Sequence, residues 1–492
     1  MRRLTHPKLF WLRLTLAGLA LAVFESWQIG RPSLWADEVA TVAAANRPIG
    51  ALLHMLTTID AVHGSYYLLI HALGHLIGFS PFSLRLPSAL AVAATAVMIA
   101  LIARKISGER LAWFALVISA VLPRLVWAAT EARSYGIDAL LTTVMLWLFL
   151  TLLDPNRTKS RWLWVAYTAV VALDTHFFVY SILVSGTQGL WLLLRQRKHA
   201  GLHIFRRWLL AQGIALAVSG YLITWVLMEQ GQVGWLPAIG QTTVEEVFVG
   251  QAFWGNPTLA YLATGLLIAV FAGAKHAKAA ATGLSSEILE ILGLAIVIPP
   301  ALVLIYSVSS HPIYDARYFT ITAPMVALAL AIALDRLFAR PLAPVALLLL
   351  VAVALPTYGR FRSIDAKGTH WTQVAETLGA MGKAGDGVLF TDYDRKSPSQ
   401  SRVMIGYASI VGPLTDLTAV VPYQKSPGLY PKRVPAAKVA GRIAQMNRVL
   451  VVAESTEKPE YRKLYNQLTD EGFAFSIRHR VAHTWINVFS KR

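Results

Sequence analysis

The chain has 492 residues, 55% of them hydrophobic and 15% charged, with a mean hydropathy of +0.52. One soluble core of this length cannot bury that much apolar surface, so a wholly soluble protein is excluded and a lipid-embedded one indicated. The net charge of +18 falls largely in short loops between apolar segments, where basic residues set topology, and no glycine-rich phosphate loop or basic reading helix accompanies it, so nucleic acid is not an expected partner.

The first apolar segment, residues 9–29, is too long for a signal-peptide core and lacks a small-x-small cleavage site, so it is expected to stay as a helix. SLWADEVATV, residues 33–42, follows and sets Asp37 beside Glu38 at the rim of that helix. YYLLIHALGHLIGF, residues 66–79, is too short to cross a hydrocarbon core of ~30 Å and is placed along the interface. Its His71 and His75 lie four apart on one helical face, where they read either as a metal pair or as structural histidines. Further spans are expected near 85–103, 111–129, 136–153, 162–174, 176–194, 208–228, 257–273, 288–308, 317–334 and 342–358, eleven in all with the first.

Before residue 360 lysine occurs only at 8, 105, 159, 198, 275 and 278. With eleven spans every one falls on the side of the N-terminus, and the tract RQRKHAGLHIFRR, 195–207, marks that side as cytoplasmic. The loops holding Asp37, Glu131, Asp174, Glu245 and Asp315 are then outside. From residue 360 the sequence is of ordinary mixed composition and reads as alternating helices and strands: helix at 370–381, strand at 387–391, helix at 436–446, strand at 448–454, helix at 459–472 and two final strands. The stretch 392–401 reads as a mobile loop. The expected fold is a polytopic α-helical membrane protein with a C-terminal extracytoplasmic α/β domain. The membrane domain takes residues 1–358, including the first external loop 30–84, and the second domain takes 359–492. The absence of cysteine excludes disulfides and thiolate metal sites.

The external loops collect Asp37 and Glu38, His63, Tyr66 and Tyr67, Glu131, Arg133 and Tyr135, His176, and Arg317 with Tyr318, each near a span end. Charged groups at the hydrocarbon boundary are costly unless paired or solvated, so this set is a candidate site. A carboxylate pair suits a general base or a cation ligand, and arginines suit a phosphate. Blander readings stand beside these: Asp37 and Glu38 as a solvated turn or helix cap, Glu131 and Arg133 as an ion pair at a helix start, and His176 as the mark of a broken helix.

LWADEVATV, HGSYYLLIH, FSLRLPSAL, EARSYGIDALL and DARYFTITAPMVALALA, in this order, resemble the GT-C class of membrane glycosyltransferases, in the branch of the protein O-mannosyltransferases and bacterial aminoarabinose transferases. The resemblance covers residues 9–340. It departs where Gly64 and Ser65 replace two prolines usual after the histidine. It implies a polyprenyl-phosphate sugar donor, an acceptor hydroxyl on a protein, lipid or polysaccharide, and no required cofactor, with a divalent cation permitted. By the same resemblance Asp37 is the general base, with Glu38 orienting the acceptor. Arg133 and Arg317 hold the donor phosphate, helped by Tyr135, His176 and Tyr318, and His63, Tyr66, Tyr67 and Glu131 shape the sugar and acceptor pocket. Inversion at the sugar is expected, with mannose as the first sugar and a pentose as the second, in a bacterial plasma membrane. A lipid-linked-sugar transporter or flippase is the rival reading, and it calls for internal repeats that the sequence lacks.

Overall fold

The computed structural model describes residues 7–195, 201–276, 284–392 and 399–492. Residues 196–200 of the basic tract, Lys278 and most of the stretch 392–401 lie outside the described residues. Helices occupy all eleven apolar segments. Among the described residues seven are long and apolar enough to cross a bilayer, or nine if each of two bent pairs is one span, so eleven full-length spans are not met. Arg161–Phe177 has 17 residues and Ser181–Leu194 has 14, which at 1.5 Å per residue gives about 26 and 21 Å, short of the hydrocarbon core. The helix Gly64–Ile77 also has only 14 residues.

Prolines account for one of the bends. Pro123 supplies no N–H, so Glu109–Val121 ends and Pro123–Ala129 restarts at 59° to it. The two halves of the other pair, Gln241–Phe253 and Pro257–Gly273, meet at 85°. Burial separates the helices by role. Ala323–Leu334, rich in alanine, is buried at every position and forms the centre of the bundle. The first helix, Pro7–Ser26, instead exposes Leu12, Leu16, Leu19 and Val23, an apolar stripe suited to lipid. Asp174 was expected in an external loop; it lies inside the helix Arg161–Phe177 and is fully buried there.

The chain folds as two compact units, Met1–Ile29 with Ala61–Tyr66 and Arg85–Arg362, and Gly30–Asp60 with Tyr67–Leu84 and Ser363–Arg492. The sequence division had given the whole loop 30–84 to the membrane domain, whereas most of it packs with the C-terminal chain. Within the membrane unit the two helices flanking the crossover points meet. Arg362 donates from Nε to the Trp27 carbonyl at 2.8 Å and from Nη2 to Glu25 Oε2 at 3.2 Å, and Phe24 stacks on Tyr358 at 4.2 Å. The C-terminal ends of the helices Pro7–Ser26 and Leu342–Phe361 therefore lie together.

The second unit holds a five-stranded sheet in the order Thr415–Asp416, Gly387–Phe390, Arg448–Ala453, Thr484–Lys491 and Phe473–Val481. The first three strands are parallel and the last two join antiparallel. Val449–Ala453 is buried throughout, the continuous apolar run of a strand covered on both faces. The helix Pro459–Asp470 seats Tyr461, Leu464 and Leu468, one helical stripe, in the core that Val449 and Val451 share.

Candidate functional site

In the membrane unit the arginines come from distant parts of the chain. Pro123–Ala129 ends at Thr130, and the non-helical connection to Tyr135 carries Glu131 and Arg133. The connection is held by Ser88, whose hydroxyl donates to the Arg133 carbonyl at 3.0 Å and lies 3.4 Å from the Tyr66 hydroxyl. Gly136 makes this approach possible, since a Cβ there would sit 2.7 Å from the Ser88 carbonyl oxygen. Arg317 opens a short 3₁₀ helix, Ala316–Thr322, that Asp315 caps by accepting from the Arg317 N–H at 3.0 Å; the same carboxylate pairs with Arg317 Nε at 2.9 Å.

His63 lies within the electrostatic reach of both arginines. Burial first, then the Arg133 and Arg317 guanidiniums, hold its imidazole well below the usual value of 6.5. A neutral ring beside two cations is an environment that favours an anion. Aromatic rings accompany Tyr135 and Arg317: Phe178 lies 6.2 Å from Tyr135 and 5.5 Å from Tyr318, and the Arg317 guanidinium lies 5.5 Å from Trp235. His176 is tied elsewhere, with Nε2 3.0 Å from the Tyr221 hydroxyl and Nδ1 2.7 Å from the Ala172 carbonyl.

Sequence reasoning missed Arg124. It is buried and donates from Nε to the Gln251 carbonyl at 3.0 Å and from Nη2 to the Gly250 carbonyl, with its guanidinium 4.7 Å from the Trp127 ring. Its charge neighbours include Asp315, Tyr135, Arg317 and Glu131. The signal was present in LPRLVWAAT, an arginine inside an apolar run, which marks function or a specific partner in a membrane segment.

The acidic loop belongs to the second unit. Asp37 and Glu38 fall in the first turn of the helix Ala36–Ala45, and the two carboxylates divide their roles. Glu38 is fully buried and accepts from the Trp35 N–H at 3.4 Å, capping its own helix as the blander reading allowed, whereas Asp37 stays partly exposed. Tyr67 is buried and donates to Asp60 at 2.5 Å. His71 and His75 stack edge to face at 4.5 Å, and His71 Nδ1 lies 2.8 Å from the Ala45 carbonyl. Among the described residues no group of three or more His, Cys, Asp or Glu side chains could hold a metal ion.

Residues 63–225 match the family described as dolichyl-phosphate-mannose-protein mannosyltransferase. No curated protein matches the chain. Among solved structures the chain resembles ArnT from Cupriavidus metallidurans in its apo state, with a TM-score of 0.62 at 13% identity over 96% of this chain and 97% of that one. The same protein bound to undecaprenyl phosphate matches with a TM-score of 0.61, at the same identity and coverage. Apolar spans, a sheet-bearing C-terminal region and end-to-end superposition agree: the chain is a multi-pass membrane protein with the GT-C fold, in the form that ArnT takes.

Proposed function

We propose that this protein is an inverting glycosyltransferase that moves a sugar from a polyprenyl-phosphate donor to an acceptor hydroxyl outside the cytoplasmic membrane. The observation that carries the reading is that Arg133 and Arg317, from remote segments of the membrane unit, both act on the buried His63, an arrangement of charge that suits an anion. The match of residues 63–225 to a family named for a dolichyl-phosphate sugar, and the undecaprenyl phosphate held by ArnT, support a polyprenyl phosphate as that anion. The N-terminus is cytoplasmic, the acidic loop and C-terminal unit extracytoplasmic, and mannose is the first sugar to test.

In the reaction the bond between the anomeric carbon and the phosphate oxygen breaks as the acceptor oxygen attacks from the opposite face. The guanidiniums stabilise the charge that develops on the departing phosphate, so no strong acid is needed. Asp37, the partly exposed member of the carboxylate pair, takes the acceptor proton, and buried Glu38 fixes the helix on which Asp37 sits.

The test is consumption of radiolabelled polyprenyl-phosphate mannose, and of the matching pentose donor, in membrane vesicles carrying the full chain. Asp37→Asn should lower kcat about 10²-fold or more with donor affinity unchanged. Arg133→Ala and Arg317→Ala should each weaken donor binding about 10- to 100-fold, the scale of a charge-assisted hydrogen bond. Wild-type turnover by Asp37→Asn rejects the base assignment, and translocation of the lipid-linked sugar without cleavage rejects the transferase reading in favour of a flippase.

A further inference from the structure

Within the second unit, the C-terminal chain from Ser363 onward grips the helix that carries Asp37 at both ends. At the entry, the Ala36 carbonyl, whose planar peptide unit leads directly into Asp37, receives Arg402 Nη1 at 3.4 Å and the Tyr430 hydroxyl at 3.3 Å. Arg402 also donates to the Tyr430 hydroxyl and lies 4.1 Å over its ring, so the two side chains act as one bracket. One residue pair upstream, the Leu34 N–H donates to the Tyr407 hydroxyl at 2.6 Å, and that hydroxyl lies 2.8 Å from Thr372 Oγ1. Gly406 lets the bracket close, because a Cβ there would meet Val39 Cγ2 at 2.9 Å.

At the exit, Arg47 is buried, and its guanidinium donates to the carbonyls of Ser426 at 2.9 Å, Gly428 at 2.6 Å and Leu429 at 3.0 Å. Its Nε returns to the Ala43 carbonyl of the same helix at 2.9 Å, and Asn46 donates to Tyr423 at 3.2 Å. A buried arginine that satisfies four carbonyls holds geometry more tightly than an apolar contact, since displacement leaves a buried cation unsatisfied.

We propose that Arg402 and Tyr430 are positioning residues for the Asp37 carboxylate, so that the C-terminal chain of the second unit serves as the mount of the general base. The proposal rests on Asp37 being that base. A peptide unit is rigid, so moving the Ala36 carbonyl moves the Asp37 Cα with it, and a misplacement near 1 Å costs on the order of 10²-fold in a proton transfer that depends on alignment. Tyr430→Phe removes the hydroxyl and keeps the ring; Arg402→Gln removes the guanidinium fork.

Both variants, as full chains in membrane vesicles, are compared with Asp37→Asn for consumption of radiolabelled polyprenyl-phosphate mannose, for donor KM and for melting temperature. The expected result is a fall in kcat of about 10-fold or more in each, with donor KM and melting temperature close to wild type. Adding Arg402→Gln to Asp37→Asn should then cost nothing further, because the arginine acts only through the carboxylate. Wild-type kcat in Tyr430→Phe and Arg402→Gln, or a full additional loss in the double variant, overturns the proposal while leaving the base assignment intact if Asp37→Asn alone is inactive. Wild-type turnover by Asp37→Asn itself overturns both.

Discussion

His63 reports the electrostatics of its surroundings through its own titration. Its proton affinity is depressed by burial and by the Arg133 and Arg317 guanidiniums, so below its usual value of 6.5 the unfolded chain binds a proton that the folded chain refuses. Stability contributed by the neutral ring is therefore present above that value and lost as pH falls through it. The melting temperature in detergent should drop between about pH 7.5 and about pH 5, and His63→Gln should make that drop smaller. An equal drop in the variant would show that the ring is not held neutral by its neighbours. The same logic separates the two acidic residues of the first loop. Their adjacency in sequence says nothing of their difference, which comes from Glu38 turning inward to cap its helix while Asp37 keeps access to solvent.

At the scale of elements, the Arg133 connection depends on how closely two backbones meet. Gly136 lies against the Ser88 carbonyl, and Ser88 in turn fixes the Arg133 carbonyl. Gly136→Ala forces a Cβ against backbone that cannot rotate away, so it should destabilise by ~1–3 kcal/mol and weaken donor binding by shifting Arg133. Ser88→Ala removes one neutral hydrogen bond and should cost only about 1 kcal/mol. A melting curve and a donor-binding isotherm on each variant distinguish these effects. Helical segments were legible in the sequence because long apolar runs select helices in lipid whatever their neighbours. Their bends were less so: hydropathy drew 111–129 as one span, and Pro123 divides it into two helices at 59°.

At the scale of the whole molecule, the second unit is discontinuous in sequence. Residues 30–60 and 67–84 pack with 363–492, through hydrogen bonds such as Ser33 N–H to the Ile364 carbonyl at 3.1 Å and Thr369 Oγ1 to the Leu34 carbonyl at 2.8 Å. A protease site inserted at exposed Gly368, where the backbone turns with φ of +67°, should therefore cut the chain without releasing its C-terminal piece. Co-purification of the two fragments in detergent checks this, and Arg47→Ala in the cut protein should let the pieces separate more readily. Free release of the fragment would mean that the first loop contributes little to the unit.

The sequence by itself determined the membrane character, the positions of the apolar helices, the α/β nature of the C-terminal region and the GT-C resemblance, because these follow from composition, period and short ordered motifs. Tertiary structure alone decided that His63 falls within the electrostatic reach of Arg133 and Arg317, that Arg124 belongs to the same charged neighbourhood, and that the acidic loop packs with the C-terminal chain in one unit. Such pairings join residues up to several hundred positions apart, and no local pattern encodes them. They arise because buried guanidiniums and carbonyls must find partners wherever the packed chain provides them.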